Sequence, residues 1–372
     1  MTENRLKTLT ALGQSVWYDY IRRDLIDGGG LARRIAEDGL SGMTSNPTIF
    51  EKAIAGGNLY DADIRNAGPG RTEPQVFEAL AIRDVRSAAD VFRGVFDAKK
   101  GDDGFVSIEV GPGLARDTAG TIAEARRLWS ECDRPNVMVK IPGTAEGVPA
   151  IRQRLSEGIN INVTLLFSVP RHREVMEAHL SALEERVQSG KPIDALRSVA
   201  SFFVSRVDTN VDPKLDALTR KGDARAKALR GKIAIANARI AYEAFEEVYS
   251  APRWKALEAK GAHRQKPLWA STSTKDPSLP DLYYVEALIA PDSVDTMPPE
   301  TFDAYRDHGD PKVRIRDGRD EAHAAFKALR ELGISIDQVA DELEVEGVKK
   351  FTDSFDSLMK TIGEKRRAMR VA

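Results

Sequence analysis

The stretch NINVTLLF (160–167) decides the fold. Asn160, Asn162 and Thr164 share one parity along it, and Ile161, Val163 and Leu165 share the other. Strand side chains alternate between two faces, so one face here is apolar and the other carries amides and a hydroxyl. The same division recurs outward along the chain. In FVSIEV (105–110), Ser107 and Glu109 oppose Val106, Ile108 and Val110. In NVMVKIP (136–142), Lys140 shares a face with Met138, opposite Val137 and Val139. In SVWYDY (15–20), Asp19 lies with Trp17. GMTSN (42–46), VASFFVSRV (199–207), KPLWAST (266–272) and YYVEALIAP (283–291) bring the candidate strands to eight.

Helical patterns fill most of the intervals, as at 113–131, 144–157 and 170–190. Strands alternating with helices imply right-handed crossovers and a parallel sheet. Eight such units predict an α/β fold, a (β/α)8 TIM barrel, ahead of an open doubly wound sheet. Two connections are oversized and read as helical insertions, about 47–104 and 208–261. After Pro291 the pattern is helical to the end, with a C-terminal extension at about 315–372. No repeat, linker or low-complexity tract divides the 372 residues, so the expectation is one domain, 1–372.

Buried Glu, Lys and Asp are rare unless paired. Several of them on separate strands are most economically placed in one shared polar cavity. Barrel enzymes place their chemistry at the carboxyl ends of the strands, where Lys140 and Glu109 fall. Taken singly, each has a plainer reading: a lysine snorkelling to solvent, a glutamate paired at the rim, an aspartate capping a helix. Their joint occurrence favours chemistry. A lysine amine desolvated in a barrel loses proton affinity and becomes a nucleophile toward a ketone. The resulting imine is an electron sink for cleaving the adjacent carbon–carbon bond, and two carboxylates, Asp19 and Glu109, would move the protons.

The rest of the composition excludes rival classes. The net charge of −2, from 55 basic and 57 acidic residues, argues against a dedicated nucleic-acid or membrane surface. The basic run RKGDARAKALRGK (220–232) reads as a solvated helix face. No segment reaches the roughly 20 apolar residues of a membrane span, and the N-terminal MTENRLKTLTALGQS lacks a signal-peptide run, so a cytoplasmic location is expected. The one cysteine, Cys132, reads as an incidental helix-end residue. The five histidines lack metal-ligand spacing and no nucleotide loop is present, so no cofactor and no metal are expected.

At these residues the chain resembles the transaldolase family. GMTSNPTIF, VSIEVGPGLARDT, VMVKIPGTAEG, GININVTLLFS, SFFVSRVD, WASTSTKDP and LIAPDSVDTMP occur in family order between about residues 15 and 298. The resemblance implies the class I aldolase barrel and the transfer of a dihydroxyacetone unit in the pentose phosphate pathway. Sedoheptulose 7-phosphate and glyceraldehyde 3-phosphate would give erythrose 4-phosphate and fructose 6-phosphate. It implies Lys140 as the Schiff-base residue, and Glu109 acting with Thr164 and a water in imine formation and hydrolysis. Asp19 would be the acid/base for the C4 hydroxyl. Asn46, Asn162 and Ser201 would hold the dihydroxyacetone hydroxyls, and Arg206 the phosphate. Partners would be sugar phosphates, with the chain a monomer or homodimer.

Two departures stand out. Some relatives carry an arginine in the seventh-strand loop where this chain has Lys275, which keeps the charge but loses the planar fork. Arg206 also has the wrong parity to point inward with Ser201, so either a bulge intervenes or Arg206 lies in a loop beyond the strand, the loop being favoured. Two alternatives remain: a fructose 6-phosphate aldolase and a catalytically silent phosphosugar-binding barrel. The aldolase group resembles a version with tyrosine at Phe203, and the silent barrel would lack the lysine or an acid.

Overall fold

The computed structural model describes residues 4–68 and 70–371. The first three residues of the N-terminal segment lie outside that range. Eight strands close into a barrel in chain order: β1 (Gln14–Tyr18), β2 (Gly42–Met43), β3 (Phe105–Glu109), β4 (Val137–Pro142), β5 (Ile161–Leu166), β6 (Ser198–Phe203), β7 (Lys266–Ala270) and β8 (Ser293–Met297). Every neighbouring pair is parallel, including β8 with β1, where Gln14 to Tyr18 face Ser293 to Met297 in register. The chain therefore forms a (β/α)8 barrel.

The outer faces of the strands carry Val106, Ile108, Val137, Val139, Ile161, Val163 and Phe202, all buried. Burying a side chain of this size contributes roughly 1.5–3 kcal/mol, and this layer seals the sheet to its helices. Inside, the indole of Trp17 fills the barrel. It lies so close to β2 that a Cβ on Gly42 would sit 2.4 Å from the ring, so only glycine fits there.

The eighth strand is not where the sequence reading put it. YYVEALIAP opens as a short helix, Tyr283–Ala287, and β8 is the following SVDTM. The buried residues Tyr284, Val285, Leu288 and Ile289 recur at i, i+1, i+4 and i+5, which is helical spacing. β8 escaped notice because three of its five residues are polar. Their burial is compensated locally: Gln14 Nε2 donates to Ser293 Oγ at 3.0 Å and Thr272 Oγ1 to Asp295 Oδ1 at 3.0 Å.

β5 carries a second irregularity. Its register with β6 shifts between Val163 and Leu166, and Leu165 has φ +58°. This is the two-against-one count of a bulge, in a conformation that a leucine rarely adopts.

The oversized connections are helical, with Pro47–Ala55, Asp61–Asn66 and Glu73–Ala98 in the first and Ser205–Arg220, Ala224–Leu229, Ile233–Val248 and Pro252–Glu258 in the second. After β8 come Pro299–His308, Arg319–Glu331 and one 36-residue helix, Ile336–Val371. That last helix packs across the carboxyl-terminal mouth of the barrel. Its Glu342 pairs with Lys214 at 2.7 Å and its Glu344 with Arg116 at 2.6 Å. Further along, Ser354 shares a hydrogen bond with Thr48 at 2.7 Å, and Lys365 pairs with Asp61 at 2.7 Å. Among the described residues, no helix is long and apolar enough to cross a membrane.

Candidate active site

Parallel pairing brings the polar rows of adjacent strands to one level. Glu109 on β3 is in register with Lys140 on β4, and Lys140 with Asn162 on β5. The Lys140 amine and Glu109 Oε2 are 3.6 Å apart, with both side chains about 6% exposed. The amine donates to the Ser45 carbonyl at 3.1 Å. Burial raises the Glu109 carboxyl above its ordinary range, while the nearby Lys140 opposes the rise. Among the described residues, Glu109 Oε2 has no hydrogen-bond partner, and neither has the fully buried Thr164 Oγ1.

Asp19 stands just past the end of β1. Its Oδ1 accepts from Thr44 Oγ1 at 2.7 Å, and Thr44 shares a further 2.7 Å hydrogen bond with Thr296 on β8. Burial raises the Asp19 carboxyl as well, against the pull of Lys140 and Thr44. Two carboxyls held toward their neutral forms beside one amine are an arrangement for taking and returning protons.

Asp19, Lys140, Thr164, Asn46, Ser201, Phe203, Arg206 and Lys275 line one cleft of about 370 Å³ at the carboxyl ends of the strands. Asn46 is fixed there because it caps the helix Pro47–Ala55, its Oδ1 accepting from Ile49 N at 2.9 Å. Glu109 sits behind Lys140 and, with Ser45 and Asn46, borders a second and more apolar cavity of about 160 Å³. Asn162, level with Lys140, is fully buried and does not line the cleft. Its Oδ1 accepts from Ser201 at 2.7 Å and its Nδ2 donates to Ser107 at 3.0 Å, so it braces the floor of the cleft.

Arg206 is in neither the strand nor a loop: it is the second residue of the helix Ser205–Arg220, because β6 stops at Phe203. Helical geometry, not strand alternation, turns its guanidinium inward, with its carbon 5.3 Å from the centre of the Phe203 ring. Lys275 is exposed on the loop after β7 and donates to Ser273 Oγ at 2.6 Å. That loop is fastened where Ser205 N donates to the Ser271 carbonyl at 3.0 Å, with Ser271 at φ +58°.

The sequence reading missed several groups in the cleft. Thr44 and Thr296 pair across two strands, and their hydroxyls give no signal until β8 is placed. Ser271, Ser273, Lys52 and Lys350 also line the cleft. The last of these comes from the C-terminal helix, and nothing local in FTDSF or its neighbours marks it.

Other candidate chemistries find little support. Cys132 ends the helix Thr118–Cys132 in an apolar setting, where burial pushes its thiol up to about 12. His172 and His179 are buried, which lowers them to about 4 and about 3 and leaves them neutral. Among the described residues, no three His, Cys, Asp or Glu side chains are grouped to hold a metal ion.

Comparison with known proteins gives the family. Residues 16–362 match the family described as Transaldolase/Fructose-6-phosphate aldolase. A protein named Transaldolase from Frankia alni is 50% identical over 363 residues, 97% of each chain. Another from Thermobifida fusca is 49% identical over 365 residues, 98% of each chain. A third, from Acidothermus cellulolyticus, is 51% identical over 357 residues, 95% of this chain and 94% of the other. With matches of this length and identity, the chain belongs to the transaldolase/fructose-6-phosphate aldolase family.

Proposed function

We propose that this chain carries out the transaldolase reaction of the pentose phosphate pathway, acting on sugar phosphates in the cytoplasm as a single catalytic unit. A dihydroxyacetone unit moves from sedoheptulose 7-phosphate to glyceraldehyde 3-phosphate, leaving erythrose 4-phosphate and forming fructose 6-phosphate. The observation that carries the reading is the buried Lys140 amine, 3.6 Å from Glu109, in the same cleft as Asp19.

The Lys140 amine attacks the C2 ketone of the donor. The carbinolamine then loses water to give a protonated imine, with Glu109 supplying the proton to the departing hydroxyl. Glu109 Oε2 and Thr164 Oγ1, both buried and unpartnered, suit the holding of that water between them. Asp19 takes the C4 hydroxyl proton. The C3–C4 bond breaks into the iminium, releasing the aldehyde and leaving an enamine on Lys140. The enamine attacks the acceptor aldehyde, Asp19 returns the proton to the new hydroxyl, and hydrolysis of the imine frees Lys140. Asn46 and Ser201, with Asn162 behind them, hold the hydroxyls of the three-carbon unit. Arg206 and Lys275 take the phosphate, which keeps phosphorylated donors and acceptors in place.

Transfer requires that the enamine outlive the departure of the first aldehyde without being protonated by water. Phe203, 8% exposed and with its ring centre 5.2 Å from that of Phe167 in a tilted pair, offers no proton to it. Product formation from fructose 6-phosphate, followed with and without erythrose 4-phosphate, separates the two activities of the family. Fast turnover only with the acceptor is expected. Equal rates, with free dihydroxyacetone accumulating, would assign the chain to aldol cleavage instead.

A further inference from the structure

The phosphate end of the cleft carries more positive charge than the two groups assigned to it. Five cations line the cleft, Lys52, Lys140, Arg206, Lys275 and Lys350, against two carboxylates, Asp19 and Glu300. Lys140 has Glu109 beside it. Among the described residues, none of the other four has a carboxylate within 4 Å, although the chain pairs most of its charged surface elsewhere. Four unpaired cations around one concavity repel each other unless an anion joins them.

Two of these come from outside the barrel. Lys52 is on the helix Pro47–Ala55, and Lys350 is on the C-terminal helix Ile336–Val371. The C-terminal helix is held close at this point. A Cβ on Gly347 would meet Leu165 Cδ2 at 2.9 Å and stand 3.7 Å from Arg206 Nη1. Lys350 is one turn further along the same face, i+3 from Gly347, and its neighbour Phe351 also lines the cleft.

We infer that Lys350, carried over the mouth by the C-terminal helix, is a binding residue for the substrate phosphate, working with Lys52, Arg206 and Lys275 as a four-cation cradle. The ligand chemistry is a phosphate monoester at the end of an open-chain sugar. The inference rests on the transaldolase reading of the cleft and adds the role of the helix that covers it. The lowered proton affinity of Lys350, caused first by Arg206, then by burial, Lys275 and Lys52, is consistent with this crowding. A dianion in the cradle would relieve the repulsion, and Lys350 would supply it with a mobile donor where Arg206 supplies a planar fork.

The test is binding of inorganic phosphate to the full-length enzyme by calorimetry, with KM and kcat for fructose 6-phosphate alongside. Lys350→Met is compared with Lys349→Met, which removes the same charge from the adjacent residue, one paired with Asp353 at 2.6 Å. Lys350→Met is expected to weaken phosphate binding about tenfold and to raise KM by a similar factor, with kcat within about twofold. Lys349→Met should leave both within about twofold, and Lys350→Arg should restore most of the loss. If the Lys350 and Lys349 variants are indistinguishable, Lys350 does not touch phosphate. Phosphate binding does not require turnover, so a failed Schiff base at Lys140 would overturn the catalytic reading without altering this result.

Discussion

The two ends of the barrel carry the same kinds of charged residue and treat them differently. At the amino-terminal end, Asp103 Oδ2 accepts from Ser15 at 2.5 Å, and its Oδ1 accepts from Trp17 Nε1 at 2.9 Å and Gly104 N at 3.0 Å. Beside it, Lys266 meets Asp102 at 2.7 Å. Burial works to raise Asp102, but His263, Lys266 and Arg197 outweigh it and hold the carboxyl well below the usual range. At the carboxyl-terminal end, Lys140 and Glu109 stand 3.6 Å apart, and Glu109 Oε2 and Thr164 Oγ1 have no hydrogen-bond partner among the described residues. The lower carboxylates are saturated with donors and serve the fold. The upper groups keep capacity for substrate and for a water. An unmet hydrogen bond in a buried site costs roughly 1–3 kcal/mol; at the base Gln14 Oε1, Asn136 Oδ1, Arg197 Nε and Gln265 Oε1 carry that cost on amides and a guanidinium, whereas at the mouth it falls on a carboxyl and a hydroxyl beside the Lys140 amine.

Substitutions should separate the two ends. Lys140→Met is expected to reduce kcat by at least about 10⁴-fold, because covalent catalysis is lost outright, while thermal unfolding stays within a few degrees of the parent. A variant that unfolds instead would make Lys140 a structural residue and erase the contrast. Asp19→Asn should cost about 10²–10³ in kcat yet still allow an imine to form, as borohydride trapping would show, because only the C4 proton transfer is removed. Asp103→Ala at the base should do the reverse. It strands the donors of Trp17, Ser15 and Gly104, for a loss of about 2–4 kcal/mol in denaturant unfolding, with turnover per folded molecule unchanged.

The outer wall offers a smaller and pH-dependent test. Burial raises Asp295 on β8 to about 7, with the hydrogen bond from Thr272 opposing the rise. The folded state therefore holds this proton more tightly than the unfolded chain does. Its contribution is complete below pH 4 and is lost as the pH climbs toward 7. Asp295→Asn should flatten that segment of the stability profile, the variant gaining on the parent by about 3 kcal/mol between pH 4 and pH 7. Parallel profiles for the two proteins would mean that Asp295 titrates normally.

What could be read from the sequence follows from where alternation applies. Glu109, Lys140, Asn162 and Thr164 are legible because β3, β4 and β5 alternate regularly through these residues, with an apolar row on the other face. β8 is not, because Ser293, Asp295 and Thr296 draw their compensation from Gln14, Thr272 and Thr44, which are distant in sequence. The mostly apolar stretch YYVEALIAP, interrupted by Glu286, is the stronger strand signal, although its buried residues have helical spacing. The family resemblance marks Arg206 as a phosphate ligand but not its place, since strand parity says nothing once a helix begins at Ser205. Lys350 had no local mark at all. Its position depends on a 36-residue helix crossing the mouth, and on Gly347 letting that helix approach Leu165 and Arg206.

Borohydride reduction in the presence of fructose 6-phosphate, followed by peptide mass analysis, addresses the central claim most directly. The Lys140 peptide should gain the mass of a reduced three-carbon unit, and no peptide carrying Lys266, Lys275 or Lys350 should do so. A protein that turns over its substrate while Lys140 stays unmodified, or that carries the adduct on another lysine, would contradict the account.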